Sequence, residues 1–335
     1  MKKNKFLSII ISFALVFSFA FANISSAAQT SAYSPTSSVR SGDYMYYAVY
    51  GEIYKVNTNT KKTTLIKSMS TKWVYDITVS NGWIYFTGND AGTGAGFRPY
   101  VYKVRTNGKN LQRLARGYKP VIYGDKIYYI KVKFSDYSEY NSDIVGIYKM
   151  SLSGRSQKCV KKTTTVSEFK VYKSNIYYIT HGNSTGKNYL RKTNLSGSTS
   201  KVMTTSYDGM SNLNIYYDYI YFNVGYSDYI YRIKTTSTKK SIFMEDAYIK
   251  DISNGYLYYV TNDYYYDTYD LYKIKISNST NIHLMTNYRP IDDVYVSKDS
   301  MIVTYYVDDY YANARTSIFN TKGRNETILN KFFVS

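Results

Sequence analysis

The sequence predicts an all-β fold, a seven-bladed β-propeller with four antiparallel strands per blade, and three observations support this. Tyrosine makes up 44 of the 335 residues, and half-buried aromatic side chains favour strands over helices. An apolar-aromatic-aromatic phrase recurs about every 43 residues. A second phrase, with a basic residue in it, follows nearly every copy. Four short strands in a repeat of this length are typical of one propeller blade.

The first phrase marks one strand in every predicted blade. Turn sequences such as Asn81-Gly82 and Asn254-Gly255 precede it and favour tight hairpins. Seven copies between residues 39 and 335 predict seven blades, with six blades as the alternative. The copies begin at Met45, Ile84, Ile127, Ile176, Ile220, Leu257 and, in weaker form, Met301.

The second phrase places a basic residue at one equivalent position in six units. Equivalent positions of a propeller form a ring, so one interpretation is a cationic surface for an anionic polymer. The favoured interpretation is that each long stem packs along a blade face while its charge reaches water. Asn320 is the nearest counterpart in the seventh unit. The six residues of this basic ring are Lys55, Lys103, Lys149, Lys192, Arg232 and Lys273.

The strand before the first phrase carries apolar residues at alternate positions in most units. In the first unit these positions hold Ser38 and Arg40, which do not fit. The C-terminal segment 331–335 offers Phe332 and Val334 at the right spacing. We therefore predict that this segment supplies the innermost strand of the first blade and closes the ring, which removes the open edges between the first and last units.

The repeated phrases resemble a known family. Ile-Tyr-Tyr, then Ile-Tyr-Lys and a Ser-Gly or Asn-Gly turn, is similar to the YWTD propellers of low-density-lipoprotein receptors. It is closer to a secreted bacterial family of uncharacterised propellers that resembles them. The resemblance covers nearly all of residues 42–330 and implies the fold, with little on function. Two features depart from the receptor pattern: the Thr-Asp pair is mostly missing, and receptor propellers have six blades.

The N-terminus is typical of a secretory signal peptide. A lysine-rich start, an apolar run over residues 6–21 and the small residues of Ser26-Ala27-Ala28 fit that pattern, and the run is short for a membrane anchor. We predict a signal peptide over 1–28, a flexible segment over 29–38 and a single propeller domain over 39–335. The expected location is extracellular, with association with the cell wall and no membrane span after cleavage.

The formal net charge of the chain is +19, which suits an acidic partner. A secreted protein meets anionic wall polymers before nucleic acid. We therefore expect an anionic cell-wall polymer, a glycan or an extracellular protein as partner, no nucleic acid, and a monomeric chain.

Residues for catalysis are sparse. The two histidines, His181 and His283, lie in different units, and no nucleotide or haem signature appears. Cys159 is the single cysteine, so an internal disulfide is excluded, and we expect it to be a buried, inert thiol. The acidic loops lack the spacing of a calcium site. The sequence predicts no catalytic residue, metal or cofactor, and favours a protein that is not an enzyme.

The loops between the two phrases are the candidate ligand face, because they vary most in length and would share one face of a propeller. Exposed tyrosine beside aspartate suits sugars or a protein partner, although these tyrosines would equally pack on one another. The predicted function is a secreted, non-catalytic binding or scaffold module. The alternative is a glycan hydrolase or lyase that uses loop carboxylates, and convergent acids in a central pocket would favour it. The candidate residues are Tyr137, Tyr140, Tyr265, Tyr266, Asp267, Asp308, Tyr310 and Tyr311.

Overall fold

The computed structural model describes residues 38–49, 51–69, 73–89, 98–134, 142–182, 185–225, 229–263, 266–307 and 313–333. The predicted signal peptide and nearly all of the predicted flexible segment lie outside these ranges. Within them the chain forms 27 strands in six antiparallel sheets and no helix. In the same ranges there is accordingly no helix that is long and apolar enough to cross a membrane.

The strands follow one another in chain order within every sheet. The first sheet contains β1 (Ser38–Ser41), β2 (Tyr44–Val49), β3 (Glu52–Asn57) and β4 (Thr63–Ser68). The second contains β5 (Trp73–Ser80), β6 (Trp83–Asn89), β7 (Pro99–Arg105), β8 (Gln112–Tyr123), β9 (Lys126–Phe134), β10 (Ser142–Ser151) and β11 (Lys158–Lys162).

The other four sheets have four strands each. The third contains β12 (Val166–Tyr172), β13 (Asn175–His181), β14 (Asn188–Asn194) and β15 (Lys201–Ser206). The fourth contains β16 (Met210–Tyr216), β17 (Tyr219–Val224), β18 (Tyr229–Lys234) and β19 (Lys240–Met244). The fifth contains β20 (Tyr248–Ser253), β21 (Tyr256–Asp263), β22 (Thr268–Lys275) and β23 (Asn281–Asn287). The sixth contains β24 (Ile291–Ser297), β25 (Ser300–Tyr306), β26 (Asn313–Asn320) and β27 (Thr327–Phe333).

The seven-stranded sheet is two groups of four strands that share β8. The first part of β8 pairs with β7, and the part from Gly117 onward pairs with β9. Gly117 has φ +146°, and a Cβ there would lie 2.2 Å from the carbonyl oxygen of Ile130. Glycine therefore lets one strand pass from one group to the next. We number the groups in chain order as units 1 to 7, with β8 in both unit 2 and unit 3.

The recurring aromatic pair fills the space on the two faces of each unit. In β6, Tyr85 and Phe86 are 1% and 0% exposed. Phe86 packs with Ile53 of the preceding unit, whereas Tyr85 packs with Ile127 of the following unit. Successive side chains of a strand point to opposite faces, so one pair of rings contributes to two cores. The aromatic pair of β6 is therefore part of the hydrophobic core.

The predicted exchange of the C-terminal strand is wrong. β1 pairs with β2 inside unit 1, with Ser41 opposite Tyr44. β27 pairs with β26 inside unit 7. Arg40, the polar residue that did not fit the apolar pattern, has a polar partner. Its guanidinium forms an ion pair of 2.9 Å with Asp299 of unit 7.

Units 1 and 7 meet through side-chain packing. The first strands of successive units are neighbours, and β24 of unit 7 contacts β1 of unit 1. A cluster of buried residues joins the same two units, with Tyr47 and Val56 from unit 1 and Tyr295, Ile302 and Ile318 from unit 7. Hydrophobic contact between complete sheets thus brings the two ends of the repeat together.

Candidate functional site

Charged side chains gather on the first strands of the units. The strands β5, β8, β12, β16, β20 and β24 each carry a β-bulge, the kind of irregularity that redirects a side chain. At three of the bulges a residue other than glycine has a left-handed backbone, namely Asp76, Lys119 and Asn212, with φ between 52° and 53°. We call the following residues the first-strand cluster: Asp76, Lys119, Glu168, Lys170, Lys250, Asp251, Asp292, Asp293 and Tyr295.

Burial shifts the pKa values of several members of this cluster. It raises the pKa of Asp251 to about 7, and burial together with neighbouring Asp292 raises that of Asp293 to about 6. Burial lowers the pKa of Lys170 to about 8. Charges from different units also act on one another, since Asp76 of unit 2 raises the pKa of Asp293 in unit 7. The cluster therefore brings acids and lysines of several units within electrostatic reach, which is a property of many functional sites.

The acids of this cluster hold backbone amides of the next unit. The Oδ2 atom of Asp76 accepts from the amide of Lys119 at 3.2 Å. Glu168 does the same for the amide of Leu213 at 2.7 Å. Each acid thus links the first strands of two successive units.

Asp251 makes one bond of this kind and a second one within its own strand. Its Oδ2 atom accepts from the amide of Val296 in unit 7 at 2.8 Å, and its Oδ1 atom accepts from the amide of Ile252 at 2.7 Å. Amide bonds of this kind stabilise the ionised carboxylate and fix its orientation. The geometry gives Asp76, Glu168 and Asp251 a structural task between units.

The basic ring has a similar task. The Nζ atoms of Lys103, Lys149 and Lys192 donate to backbone carbonyls of the next unit at 2.9, 2.9 and 3.3 Å. The carbonyls belong to Leu152, Leu195 and Thr235 respectively. The ammonium of Lys273 bonds the carbonyl of Thr321 in the same way.

The remaining ring residues lie against aromatic rings. Lys55 Nζ is 4.9 Å from the ring centre of Tyr44, and the Arg232 guanidinium is 5.3 Å from that of Phe243. In unit 7 the position opposite Ile302 is held by Ile318. Asn320, the counterpart expected from the sequence, lies two residues beyond. The side chains of this ring therefore pack along the units and join them.

Most of the predicted loop residues lie outside the described residues: Tyr137, Tyr140, Tyr265, Asp308, Tyr310 and Tyr311. Tyr266 and Asp267 are described. The ring of Tyr266 is 68% exposed. Asp267 Oδ2 forms an ion pair of 2.9 Å with Arg289, in the link between units 6 and 7.

A cavity of about 450 Å³ lies between units 6 and 7 beside this ion pair. Its volume is in the range of small-molecule sites. Tyrosines and two arginines dominate its wall, and one of the tyrosines, Tyr288, is 71% exposed. Residues of the wall include Tyr288, Arg289, Tyr305, Tyr306, Arg315 and Glu326. These residues could not be recognised as a group from the sequence, because they lie on strand ends, a link and a turn that are separated along the chain.

Residues with reactive side chains do not form a catalytic arrangement in the described ranges. His283 Nε2 lies 3.1 Å from Asp270 Oδ1 on the outer edge of unit 6. Cys159 is exposed on β11, so the prediction of a buried thiol is wrong; β11 is an outer strand and leaves this side chain at the surface. In the described part of the chain, no three His, Cys, Asp or Glu side chains gather closely enough to hold a metal ion.

Several solved structures share this architecture. The chain superposes on one chain of a nidogen/laminin complex, and that chain is a YWTD-type propeller. The TM-score is 0.50 at 11% identity, with 73% of this chain and 93% of the other chain covered. The fold is that of a β-propeller. No protein-family model and no curated protein sequence matches the chain.

Two propeller-containing enzymes are also similar in fold. A puromycin-hydrolysing peptidase of Mycobacterium tuberculosis gives a TM-score of 0.63 at 9% identity over 91% of this chain, and the chain spans only 55% of that protein. An oligogalacturonate lyase of Vibrio parahaemolyticus gives 0.55 at 10% identity, with 85% of this chain and 88% of the lyase covered. At such identities the likeness concerns the fold alone.

Proposed function

We propose that this chain is a seven-bladed propeller that acts outside the cell as a binding or scaffold module, and that it engages a glycan or an anionic wall polymer through its loop face. One observation carries the proposal. Three acids of the first-strand cluster, Asp76, Glu168 and Asp251, are engaged in bonds to backbone amides. The described loop and link residues beside units 6 and 7, in contrast, include the exposed Tyr266 and Tyr288 and border an arginine-lined cavity. A rigid scaffold with an open aromatic surface suits binding.

Seven blades, in place of six, are supported by the strand arrangement. Six sheets are hydrogen-bonded, but the seven-stranded sheet contains two groups of four that share β8. The contact of β24 with β1 supports a ring that closes between complete blades.

The test is a pull-down of the secreted chain on purified cell wall, with and without its anionic polymers, over a series of salt concentrations. Exposed charges are screened within about 10 Å at 0.1 M salt and about 3 Å at 1 M. We expect retention on the intact wall that falls steeply with salt, and weak retention on the stripped wall. Equal retention on the intact and the stripped wall, unchanged in about 0.5 M salt, would refute the proposal.

A charge reversal of the basic ring is a poor test of binding. Lys103, Lys149 and Lys192 each donate to a carbonyl of the next unit, so their replacement by glutamate would weaken the fold itself. Variants on the loop face separate binding from folding better.

The second candidate is a glycan hydrolase or lyase. The raised pKa values of Asp251 and Asp293 favour it, because general acids need such values near neutral pH. The lyase of similar fold fits this candidate as well. Incubation of the protein with uronate polymers, followed by the absorbance of unsaturated products and by reducing-end assays, would detect either reaction. Product that persists when Asp293 is replaced by asparagine would exclude that acid as the catalyst.

A further inference from the structure

We infer that the cavity between units 6 and 7 is the ligand site of this module, and that it takes a sugar ring bearing a carboxylate, as in a uronate-containing glycan. This rests on the proposed function and names the residues and the ligand class. The contacts of Arg315, Tyr288 and Glu326 carry the inference.

Arg315 offers an unused hydrogen-bond donor. It lies on β26 opposite Tyr305, and its guanidinium is 6.0 Å from the centre of that ring. The Nε atom is buried and has no hydrogen-bond partner among the described residues. Buried donors are nearly always bonded, so this one calls for a partner that the described residues do not supply.

A comparable arginine shows what a purely structural arrangement looks like. Arg191 also lies on the third strand of its unit, with its guanidinium 4.6 Å from the ring centre of Tyr189. Its Nε atom donates to the hydroxyl of Thr180 at 3.1 Å. Arg315 lies two residues before the position that matches Arg191; its Nε atom makes no such bond among the described residues, and the residue lines the cavity. A carboxylate is the planar acceptor that matches a guanidinium edge with two bonds.

Tyr288 provides a fixed platform beside this arginine. The link that contains it is held against unit 7, since the side chain of Asn287 donates to the carbonyl of Tyr306 at 3.0 Å. The Arg289 guanidinium donates to the carbonyl of Tyr288 at 2.6 Å while it is paired with Asp267. The exposed tyrosine ring therefore sits on an ordered backbone, which lowers the entropy cost of binding.

Glu326 supplies acceptor capacity for sugar hydroxyls. Its Oε1 atom accepts from the hydroxyls of Tyr305 and Ser317 at 2.6 and 2.7 Å. A carboxylate has about four acceptor positions, so two bonds leave room for more.

The charged groups of the wall offer a ligand one cation and one acid, which suit a carboxylate and sugar hydroxyls respectively. Arg289 is already paired with Asp267, so Arg315 and Glu326 are the remaining opposite charges. An exposed aromatic face suits the flat C–H face of a sugar ring, which a glycerol-phosphate chain lacks. The combination favours a carboxylated sugar over a polymer of phosphodiesters.

The experiment is titration calorimetry of the secreted chain with three probes: a galacturonate trisaccharide, a neutral galactose trisaccharide and a glycerol-phosphate oligomer. The variants are Arg315→Gln and Tyr288→Ala. Their matched controls are Arg191→Gln, on the equivalent strand, and Tyr207→Ala, which also follows the fourth strand of its unit and is 73% exposed. Circular dichroism and thermal unfolding establish that each variant is folded.

We expect the galacturonate probe to bind and the neutral sugar to bind far less. Arg315→Gln should weaken galacturonate binding roughly tenfold or more, because a charge-assisted bond is lost. Tyr288→Ala should weaken it by roughly fivefold to tenfold, and both controls should leave it unchanged. If Arg315→Gln does not fold, Tyr288→Ala and Arg315→Lys take its place.

The outcomes separate the inference from the proposed function. Wall binding that is retained in both cavity variants, with the controls unchanged, overturns the inference and leaves the binding module intact. Tighter binding of glycerol phosphate than of galacturonate overturns the choice of a carboxylated sugar. Failure of the chain to bind the wall and every probe overturns the proposed function itself.

Discussion

Asp251 links two units through a carboxylate that burial makes costly to ionise. Its pKa is raised to about 7 by burial, against an ordinary value of 3.8. Between about pH 4 and pH 7 the folded chain therefore binds more protons at this site than the unfolded chain does. The free energy of unfolding must then fall as the pH rises through this window, and Asp251→Asn should remove that dependence.

The size of the effect follows from the shift. Three pKa units at about 1.4 kcal/mol each set an upper limit of about 4 kcal/mol, and water that reaches this half-buried side chain reduces it to about 2 kcal/mol. In Asp251→Asn one side-chain oxygen still accepts from a backbone amide. The side-chain NH₂ group replaces the other oxygen, so the bond from the amide of either Val296 or Ile252 is lost. That loss costs roughly 2 kcal/mol at pH 5. At pH 8 the variant should be nearly as stable as the original protein.

The assay is urea unfolding at pH 5, 6, 7 and 8, followed by circular dichroism and linear extrapolation. The difference in unfolding free energy between the original protein and Asp251→Asn should decrease by about 2 kcal/mol from pH 5 to pH 8. Asp218→Asn is the control, because that carboxylate is exposed on a turn and pairs only with Lys173 among the contacts described. A difference that stays constant over this range would refute the argument that Asp251 is ionised at a cost.

Three further predictions concern the contacts between units. Lys149→Met keeps the stem but removes the bond to the carbonyl of Leu195, so the free energy of unfolding in urea should fall by roughly 1–3 kcal/mol; an unchanged midpoint would speak against a structural role for the basic ring. Gly197→Ala should lower the free energy of unfolding by roughly 2 kcal/mol or more, because φ is +77° and a Cβ would lie 1.6 Å from the carbonyl oxygen of Val160. An unaltered melting temperature would contradict this. Arg40→Met should lower the free energy of unfolding by roughly 1 kcal/mol at low salt and by less at high salt. A loss of stability that is independent of salt would show that the ion pair with Asp299 contributes nothing.

The repeat could be predicted from the sequence because it follows strand geometry. Alternation of apolar positions and a turn before each aromatic pair identify the strands, and the pairing of Ile84 with Val104 follows the two phrases. The continuous strand β8 could not be predicted in this way. It depends on Gly117, because any Cβ at this position would collide with the carbonyl oxygen of Ile130, and that contact is known only from the folded structure.

The prediction of the closing strand failed for a related reason. Ser38 and Arg40 looked unsuitable for an inner strand by polarity alone. The partner that makes Arg40 acceptable, Asp299, lies 259 residues away in the sequence. Only the contact between units 1 and 7 in the folded chain brings the two residues together.

A signal for the first-strand cluster was present in the sequence. The residue before the first apolar position of this strand is polar in five units. These residues are Asp76, Lys119, Glu168, Asn212 and Asp293. The raised pKa values of Asp76 and Asp293 could not be predicted, because burial and the neighbouring charges depend on how the units pack.

The net charge of +19 is a poor guide to the binding surface of this chain. Four of the six basic-ring residues donate to carbonyls of the next unit, and three of the first-strand acids accept its amides. These charges substitute for backbone hydrogen bonds that separate sheets cannot make to each other, so they cannot turn toward a ligand without loosening the fold. Arg315 differs from them, because its buried Nε has no partner in the described part of the chain and lies at a cavity. Under the ligand site that we infer, the charge that serves recognition is one that the packing of the units leaves unused.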